Sequence, residues 1–328
     1  MNVKKHRIAF FGSDEIALPF LGALRANEVE VSAVLTQPDR RSGRGRILKP
    51  NPIKQWAVES GVPCRDPQKP SSEETEWLKS LEIELVIVMA YGHILKRDLL
   101  EAASLGCFNL HASLLPAYRG ASPIETALAL GERETGVTLM RVVPRMDAGP
   151  IIDVESVLVT GEDTGASLRE KIALACVPLM ERNLDALFAD RCVEKPQDET
   201  QATYCRKLNK SDGRMDFRVP ARLLAHRIQA FRFWPGVSFP FGGLRIRVGR
   251  STVEDLSLLP GKVACDREGK FSIGTGQGAL VVHELQKPGG RMLPARDFLR
   301  GFDIPDGTIL ESEFMPDLLV EGKSNSKA

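Results

Sequence analysis

Asn109 and His111 lie two residues apart at the end of an apolar run that begins at Cys107. Residues two apart on a strand point to the same face, so both side chains project together where the run stops. An amide donor beside an imidazole suits a carbonyl whose oxygen becomes negative while a proton moves. Alone, an Asn-x-His pair reads more simply as a strand end and a turn cap, so its surroundings decide. Ser113-Leu114-Leu115-Pro116 follows directly, apolar but too short for a strand or helix, and then Arg119-Gly120. Downstream, Arg145-Met146-Asp147-Ala148-Gly149-Pro150-Ile151 places a carboxylate in a tight turn before another apolar run. Turns favour Asp for reasons unrelated to catalysis, and Asp147 alone would be read that way.

Other chemistries have weaker support. Phe11-Gly12-Ser13 is not G-x-G-x-x-G, and no Walker A segment exists, so neither nicotinamide nor ATP is expected. The six cysteines (64, 107, 176, 192, 205, 265) form no C-x-x-C pair and have no histidine at zinc-ligand spacing, so reduced thiols and no metal are expected. Met1 to Arg7 is basic, but only Ile8-Ala9-Phe10-Phe11 follows, which reads as a first strand rather than a secretion signal. No run approaches the ~20 apolar residues that span a bilayer. A cytoplasmic protein with no membrane partner is expected.

The elements that must position these residues alternate in type. Arg7 to Phe11, Val29 to Leu35, Leu85 to Ala90 and Cys107 to His111 read as buried strands, separated by amphipathic stretches. Ser13 is expected to cap the first helix. Asn51-Pro52 is an N-cap followed by proline at the first helical position, and capping-box spacings occur at Ser71-Glu74 and Ser122-Glu125. Such alternation implies an α/β fold with a Rossmann-like, doubly wound parallel sheet, whose ligands collect at the carboxyl ends of the strands. Thr164 to Asp190 is the longest helical pattern, with a bend expected at Pro178. Beyond a polar stretch, the helix Ala221 to Phe231 and short runs punctuated by Gly242-Gly243, Pro260-Gly261 and Pro288-Gly289 suggest a small barrel. The expected organisation is a catalytic domain over 1–190, a linker over 191–207, a β-barrel domain over 208–313 and a tail over 314–328.

Taken together, the segments around 109, 119 and 147 resemble the formyltransferase family that uses 10-formyltetrahydrofolate. The pattern there is a strand ending in N-x-H-x-S-L-L-P, then R-G, then a distant D-x-G-x-I, and this chain holds all three in order. The resemblance implies that Asn109, His111 and Asp147 are the catalytic trio. An amine would attack the formyl carbon, Asn109 would donate to the oxygen that becomes negative, and His111 with Asp147 would stabilise that charge or move protons. It implies 10-formyltetrahydrofolate as cosubstrate, with Ser113, Leu114, Leu115 and Pro116 as one wall of the pterin slot and Met89, Tyr91 and Gly92 as another. A plain strand end is an equal reading of the latter segment.

The acceptor is indicated elsewhere. Residues 38–50 form a long basic loop, Pro38-Asp39-Arg40-Arg41-Ser42-Gly43-Arg44-Gly45-Arg46-Ile47-Leu48-Lys49-Pro50. It resembles the loop, of form Q-P-D-R…G-R-G…P-x-P-x-K, inserted in those family members that act on methionyl-tRNA. Arg40, Arg41, Arg44, Arg46 and Lys49 are then expected to meet the acceptor arm, with Lys207 and Lys210 at the start of the barrel. Thr203 to Phe217, the segment around Trp234-Pro235-Gly236, and Ala295 to Gly301 resemble the C-terminal part of those members, whose barrel is OB-like. The chain departs from the family pattern at Gly12-Ser13, Ala112, Tyr118 and Arg232-Phe233, none of which removes a group from the trio. The implied partners are initiator methionyl-tRNA and folate, the implied product is N-formylmethionyl-tRNA, and a monomer is expected. A small-amine acceptor, hydrolysis of the donor, and a non-catalytic tRNA-binding module on a transferase scaffold are the alternatives.

Charge agrees once resolved along the chain. The net charge is +1, from 44 basic and 43 acidic residues. Residues 207–300 alone carry 17 basic and 8 acidic residues. A near-neutral total thus hides a basic C-terminal module and an acidic remainder that contains the basic loop, two places where a polyanion could lie.

Overall fold

The computed structural model describes residues 6–26, 29–42, 47–266 and 269–321. Strand β1 (Arg7–Gly12) leads through a single 3₁₀ turn into α1 (Leu18–Ala26). The cap of that turn is Asp14, whose carboxylate accepts the Ile16 N–H at 3.0 Å, and not Ser13. The Ser13 hydroxyl is used across the sheet instead, donating to the Tyr91 carbonyl at 3.2 Å and accepting the Gln37 N–H at 3.0 Å. After β2 (Glu30–Leu35), strands β3 (Arg40–Ser42) and β4 (Ile47–Lys49) pair as a separate hairpin. Asn51 caps α2 (Pro52–Glu59), and Ser71 with Glu74 closes a capping box on α3 (Ser72–Ser80), which follows β5 (Cys64–Arg65).

The chain continues through β6 (Leu85–Met89), α4 (Arg97–Leu100), β7 (Cys107–His111), β8 (Arg119–Gly120), α5 (Pro123–Leu130), β9 (Glu134–Arg141) and β10 (Ile151–Leu158). Ser122 makes no capping bond to α5; Glu125 pairs with Arg169 instead. The long helical pattern divides into α6 (Gly165–Glu181) and α7 (Leu184–Phe188). The break falls at Arg182 and Asn183 because both turn toward β10 and donate to the Asp153 carboxylate, at 2.6 and 2.8 Å.

The main sheet runs β10-β9-β7-β6-β1-β2-β5. The five strands from β7 to β5 are parallel, whereas β9 and β10 pair antiparallel. Alternate residues feed two cores, as a sheet covered on both faces requires. Ile8, Phe10, Leu85, Ile87, Phe108 and Leu110 face α1 and α6, while Ala9, Phe11, Val86, Val88 and Cys107 face α3 and α4.

The C-terminal half begins with β11 (Tyr204–Cys205) and α8 (Ala221–Ala230). Then come β12 (Val237–Phe241), β13 (Leu244–Glu254), β14 (Val263–Cys265), β15 (Phe271–Gly274), β16 (Ala279–Gln286) and β17 (Leu293–Pro294). They form an antiparallel sheet of order β12-β13-β16-β15-β14, with β17 also on β16, bent by irregular register between Val248 and Ser251. Among the described residues β12 and β14 do not pair, so the sheet is open where a closed barrel would be sealed. After α9 (Ala295–Gly301), the chain returns as β18 (Leu319–Val320), so residues expected in a tail complete a small sheet of order β18-β11-β8. The larger core extends without interruption from the main sheet through α5 to α8 and the C-terminal strands. No helix among the described residues is long and apolar enough to cross a membrane.

Candidate active site

Asn109 and His111 leave β7 on the face opposite Phe108 and Leu110, as their spacing requires. His111 is buried and Asn109 half-buried. The imidazole is fixed from two sides. Nε2 lies 3.0 Å from the Tyr118 carbonyl, to which it donates, and Nδ1 faces Asp147 Oδ1 at 3.7 Å. The other Asp147 oxygen accepts the Gly120 N–H at 2.8 Å. Asp147 itself sits at φ 50°, in the left-handed region that non-glycine residues adopt at a cost. Gly149 closes the turn, and a Cβ there would lie 1.8 Å from the Arg141 carbonyl oxygen. The three residues read from sequence are thus placed at one end of β7: His111 touches the Asp147 carboxylate, and Asn109 precedes it on the same strand face.

The loop after β7 is stapled at nearly every residue. Leu115-Pro116 is cis. The buried Ser113 hydroxyl donates to the Ala117 carbonyl at 2.6 Å, so it shapes the loop and is not turned outward. Thr138, opposite His111 on β9, donates to the Ser113 carbonyl at 2.7 Å and accepts the Leu115 N–H at 3.0 Å. Leu115 is buried, which leaves Leu114 and Pro116 as the half-buried apolar surface of the segment.

The Met89 and Tyr91 side chains do not line a slot. Met89 enters one core beside Cys176, and Tyr91 enters the other against Phe11, with ring centroids 5.6 Å apart. Residues two apart on a strand would share a face, but β6 ends at Met89 and Ala90, at φ 49°, reverses the alternation, which leaves backbone groups at the strand's end. The Tyr91 carbonyl there accepts from Ser13 and Gln37, and Gly92, at φ 76°, lets Gln37 pass where a Cβ would lie 2.6 Å from Nε2.

Arg119 organises the opposite wall. Its side chain is fully buried, and each of its donor nitrogens is used. Nε and Nη2 donate to Gln197 Oε1 at 3.1 and 2.8 Å, Nη2 and Nη1 to the Glu199 carboxylate at 3.0 and 3.1 Å, and Nη1 to the Tyr204 hydroxyl at 3.0 Å. Burial by itself would lower the Arg119 pKa, but the Glu199 and Tyr204 hydrogen bonds raise it. Gln197, Glu199 and Tyr204 come from the segment expected to be a linker. That segment also supplies Thr203, which accepts the Tyr118 and Arg119 N–H groups at 2.8 and 2.9 Å. Sequence reading passed over Thr138 and Gln197. A threonine in the apolar run Val137-Thr138-Leu139 is a signal in principle, whereas nothing local marks Gln197.

The foot of the basic hairpin lies near this edge, where Asn51 donates to the Gln37 carbonyl and Gln37 to that of Tyr91. Asp39, at the foot of the β3–β4 hairpin, accepts the Asn51 N–H at 2.8 Å and faces Lys54 Nζ at 3.6 Å. Arg40 and Lys49 pair across the hairpin and are exposed. Burial, and then the Arg40 charge, lower the His93 pKa, which sets the hairpin's foot near the end of β6. Arg41 belongs to β3 by its backbone, and Arg44 and Arg46 lie outside the described residues. Lys207 and Lys210 are exposed at the start of the C-terminal half. No group of three or more His, Cys, Asp or Glu among the described residues could hold a metal ion.

Residues 6–182 match the formyl transferase family model, and residues 207–303 match the model of the formyl transferase C-terminal domain. The chain belongs to the formyl transferase family. This formyltransferase is 43% identical over 297 residues to the methionyl-tRNA formyltransferase of Methylococcus capsulatus, covering 89% of this chain and 96% of the relative. It is 41% identical over 293 residues to the enzyme of the same name from Ectopseudomonas mendocina, covering 89% and 93%. Among solved structures, the formyltransferase is similar in fold to the N-formyltransferase of Helicobacter canadensis in complex with folinic acid and dTDP-3-aminofucose. The TM-score is 0.65, at 20% identity over 86% of this chain and 99% of that one.

Proposed function

We propose that this formyltransferase moves the formyl group of 10-formyltetrahydrofolate to the free amino group of methionine on initiator methionyl-tRNA, giving N-formylmethionyl-tRNA for translation initiation. The observation that carries the reading is the His111–Asp147 contact at the end of the strand that also presents Asn109. Near-full-length relatives named methionyl-tRNA formyltransferase support the acceptor, as do the exposed Arg40 and Lys49 of the hairpin and the cations of the C-terminal half.

The donor's flat ring suits the half-buried apolar faces of Leu114 and Pro116 and the exposed Met146 beside the trio. When bound, the donor supplies an electrophilic formyl carbon on nitrogen. Asn109 donates its amide N–H to the formyl oxygen as charge builds there. His111 and Asp147 together take the proton shed by the attacking amine and return one to the folate nitrogen that departs. A carbon–nitrogen bond forms to the amine, the carbon–nitrogen bond to folate breaks, and protons balance. The amine is the nucleophile, so no serine or cysteine is needed. Arg40, Arg41, Arg44, Arg46, Lys49, Lys207 and Lys210 would hold the tRNA by its phosphates and 3′ end.

The test is incubation of the full chain with the formyl donor and either methionyl-tRNA or small amines such as an amino-sugar nucleotide. Formylated methionyl-tRNA with stoichiometric tetrahydrofolate is expected. Transfer to the small amines alone would overturn the tRNA acceptor, and tetrahydrofolate release without any formylated product would identify a hydrolase.

A further inference from the structure

We infer that Gln197 is a positioning residue for this reaction: its amide, oriented by the buried Arg119, holds the Asp147 turn in the shape that sets the carboxylate against His111. The inference rests on the reading of Asp147 as part of the catalytic trio.

The chain of contacts has a fixed direction. A guanidinium only donates, so the Gln197 oxygen must face Arg119, and it accepts there from both Nε and Nη2. This leaves the Gln197 Nε2 group no choice but to point the other way. Its two N–H groups donate to the Asp147 carbonyl at 2.9 Å and the Gly149 carbonyl at 2.7 Å. Those carbonyls flank the turn in which Asp147 holds φ 50° and Gly149 has no room for a side chain. Both amide donors are used on this one strained turn. On its far side Asp147 Oδ2 is tied to the Gly120 N–H at 2.8 Å, and Gly120 is the neighbour of Arg119. A closed circuit results: Arg119 orients Gln197, Gln197 holds the Asp147 backbone, Asp147 binds Gly120, and Gly120 returns to Arg119. The remaining carboxylate oxygen is the one facing His111. Gln197 touches neither His111 nor Asn109 in this circuit, so it acts through the geometry of Asp147.

Glutamine meets the demand because it accepts and donates from one planar group. Glutamate would satisfy Arg119 but offer no donor to two carbonyls, and methionine would keep the volume while removing both functions. The test therefore compares Gln197→Met and Gln197→Glu with Asp147→Asn and with the Gln197→Met/Asp147→Asn double variant, all in the full chain. Steady-state formylation of methionyl-tRNA gives kcat and KM for each substrate, and circular dichroism follows folding. Both Gln197 variants are expected to lose about 10- to 100-fold in kcat, with KM for tRNA and donor unchanged within twofold. In the Asp147→Asn background the same Gln197→Met change is expected to cost less than twofold, because the group it positions is already gone. Wild-type kcat in both Gln197 variants, or losses that multiply in the double variant, would overturn the inference. If Gln197→Met fails to fold, Gln197→Glu, which keeps the Arg119 contact, carries the kcat comparison with the matching double variant. Full turnover by Asp147→Asn would instead remove the reading beneath it, an outcome distinguishable from the other two.

Discussion

At the scale of single residues, the site depends on how completely each polar group is used. Asn109→Ala and His111→Ala are each expected to lower kcat at least ~100-fold, the usual loss for one donor to a developing oxyanion, while tRNA affinity measured by filter binding stays near wild type. An active His111→Ala enzyme would refute the proton-transfer scheme. Gly149→Ala should damage the same turn from another direction, since its methyl would meet the Arg141 carbonyl at 1.8 Å. Reduced turnover together with a lower melting temperature is the expected pair of readings. That Asn109 and His111 would project together was legible because they share a strand end, whereas Asp147, by itself a turn residue, joined them only through the resemblance of the whole pattern. Gln197 was not, because its role exists only after the chain folds back. Met89 and Tyr91 were misplaced for a related reason. A strand end fixes where a backbone stops, but the left-handed Ala90 between them, invisible in the apolar pattern, sends those two side chains into opposite cores.

At the scale of elements, the parallel strands β1, β6 and β7 were readable as unbroken apolar runs, and the caps at Asn51 and Ser71 as local hydrogen-bonding patterns. Ser71→Ala is expected to cost about 1 kcal/mol of stability in urea denaturation, because it removes the hydroxyl that accepts the Glu73 N–H, while the Glu74 half of the capping box remains. The antiparallel turn of β9 and β10, and the division of α6 from α7, were not readable. Both depend on partners distant in sequence, Asp153 with Arg182 and Asn183 being the clearest. The β3–β4 hairpin pairs apart from the main sheet, and Asp39 ties its foot to Asn51. Arg41→Glu should raise KM for methionyl-tRNA and flatten its dependence on salt, since one phosphate contact fewer releases fewer counterions. An unchanged salt slope would show that this arm does not meet the backbone of the tRNA.

At the scale of the whole molecule, the two halves share the larger core, and the burial of thiols across the fold sets a pH limit. Burial pushes the Cys107 and Cys176 thiols up to about 12, and those of Cys64 and Cys205 up to about 11, from an ordinary value of 9.0. Unfolded thiols therefore release protons at a pH where the native ones still hold them. The native state binds more protons across that window, so stability is intact below pH 9 and falls as pH rises above it. Chemical denaturation at pH 8 and pH 10.5 should show the loss, and thiol alkylation at pH 8 should leave Cys107 and Cys176 unmodified in the folded protein. The sheet β18-β11-β8 has a further consequence, for dissection of the molecule. The catalytic loop borrows two hydrogen-bond acceptors from Thr203 and its strand partner from Tyr204–Cys205, which in turn is flanked by Leu319–Val320. A fragment cut at residue 182, where the first family match ends, keeps Asn109, His111 and Asp147 yet loses the braces that hold them. Such a fragment would be inert alone, and mixing it with the complementary piece should restore turnover if the two reassociate. In this chain the boundary drawn by sequence similarity and the boundary of a working active site are different lines.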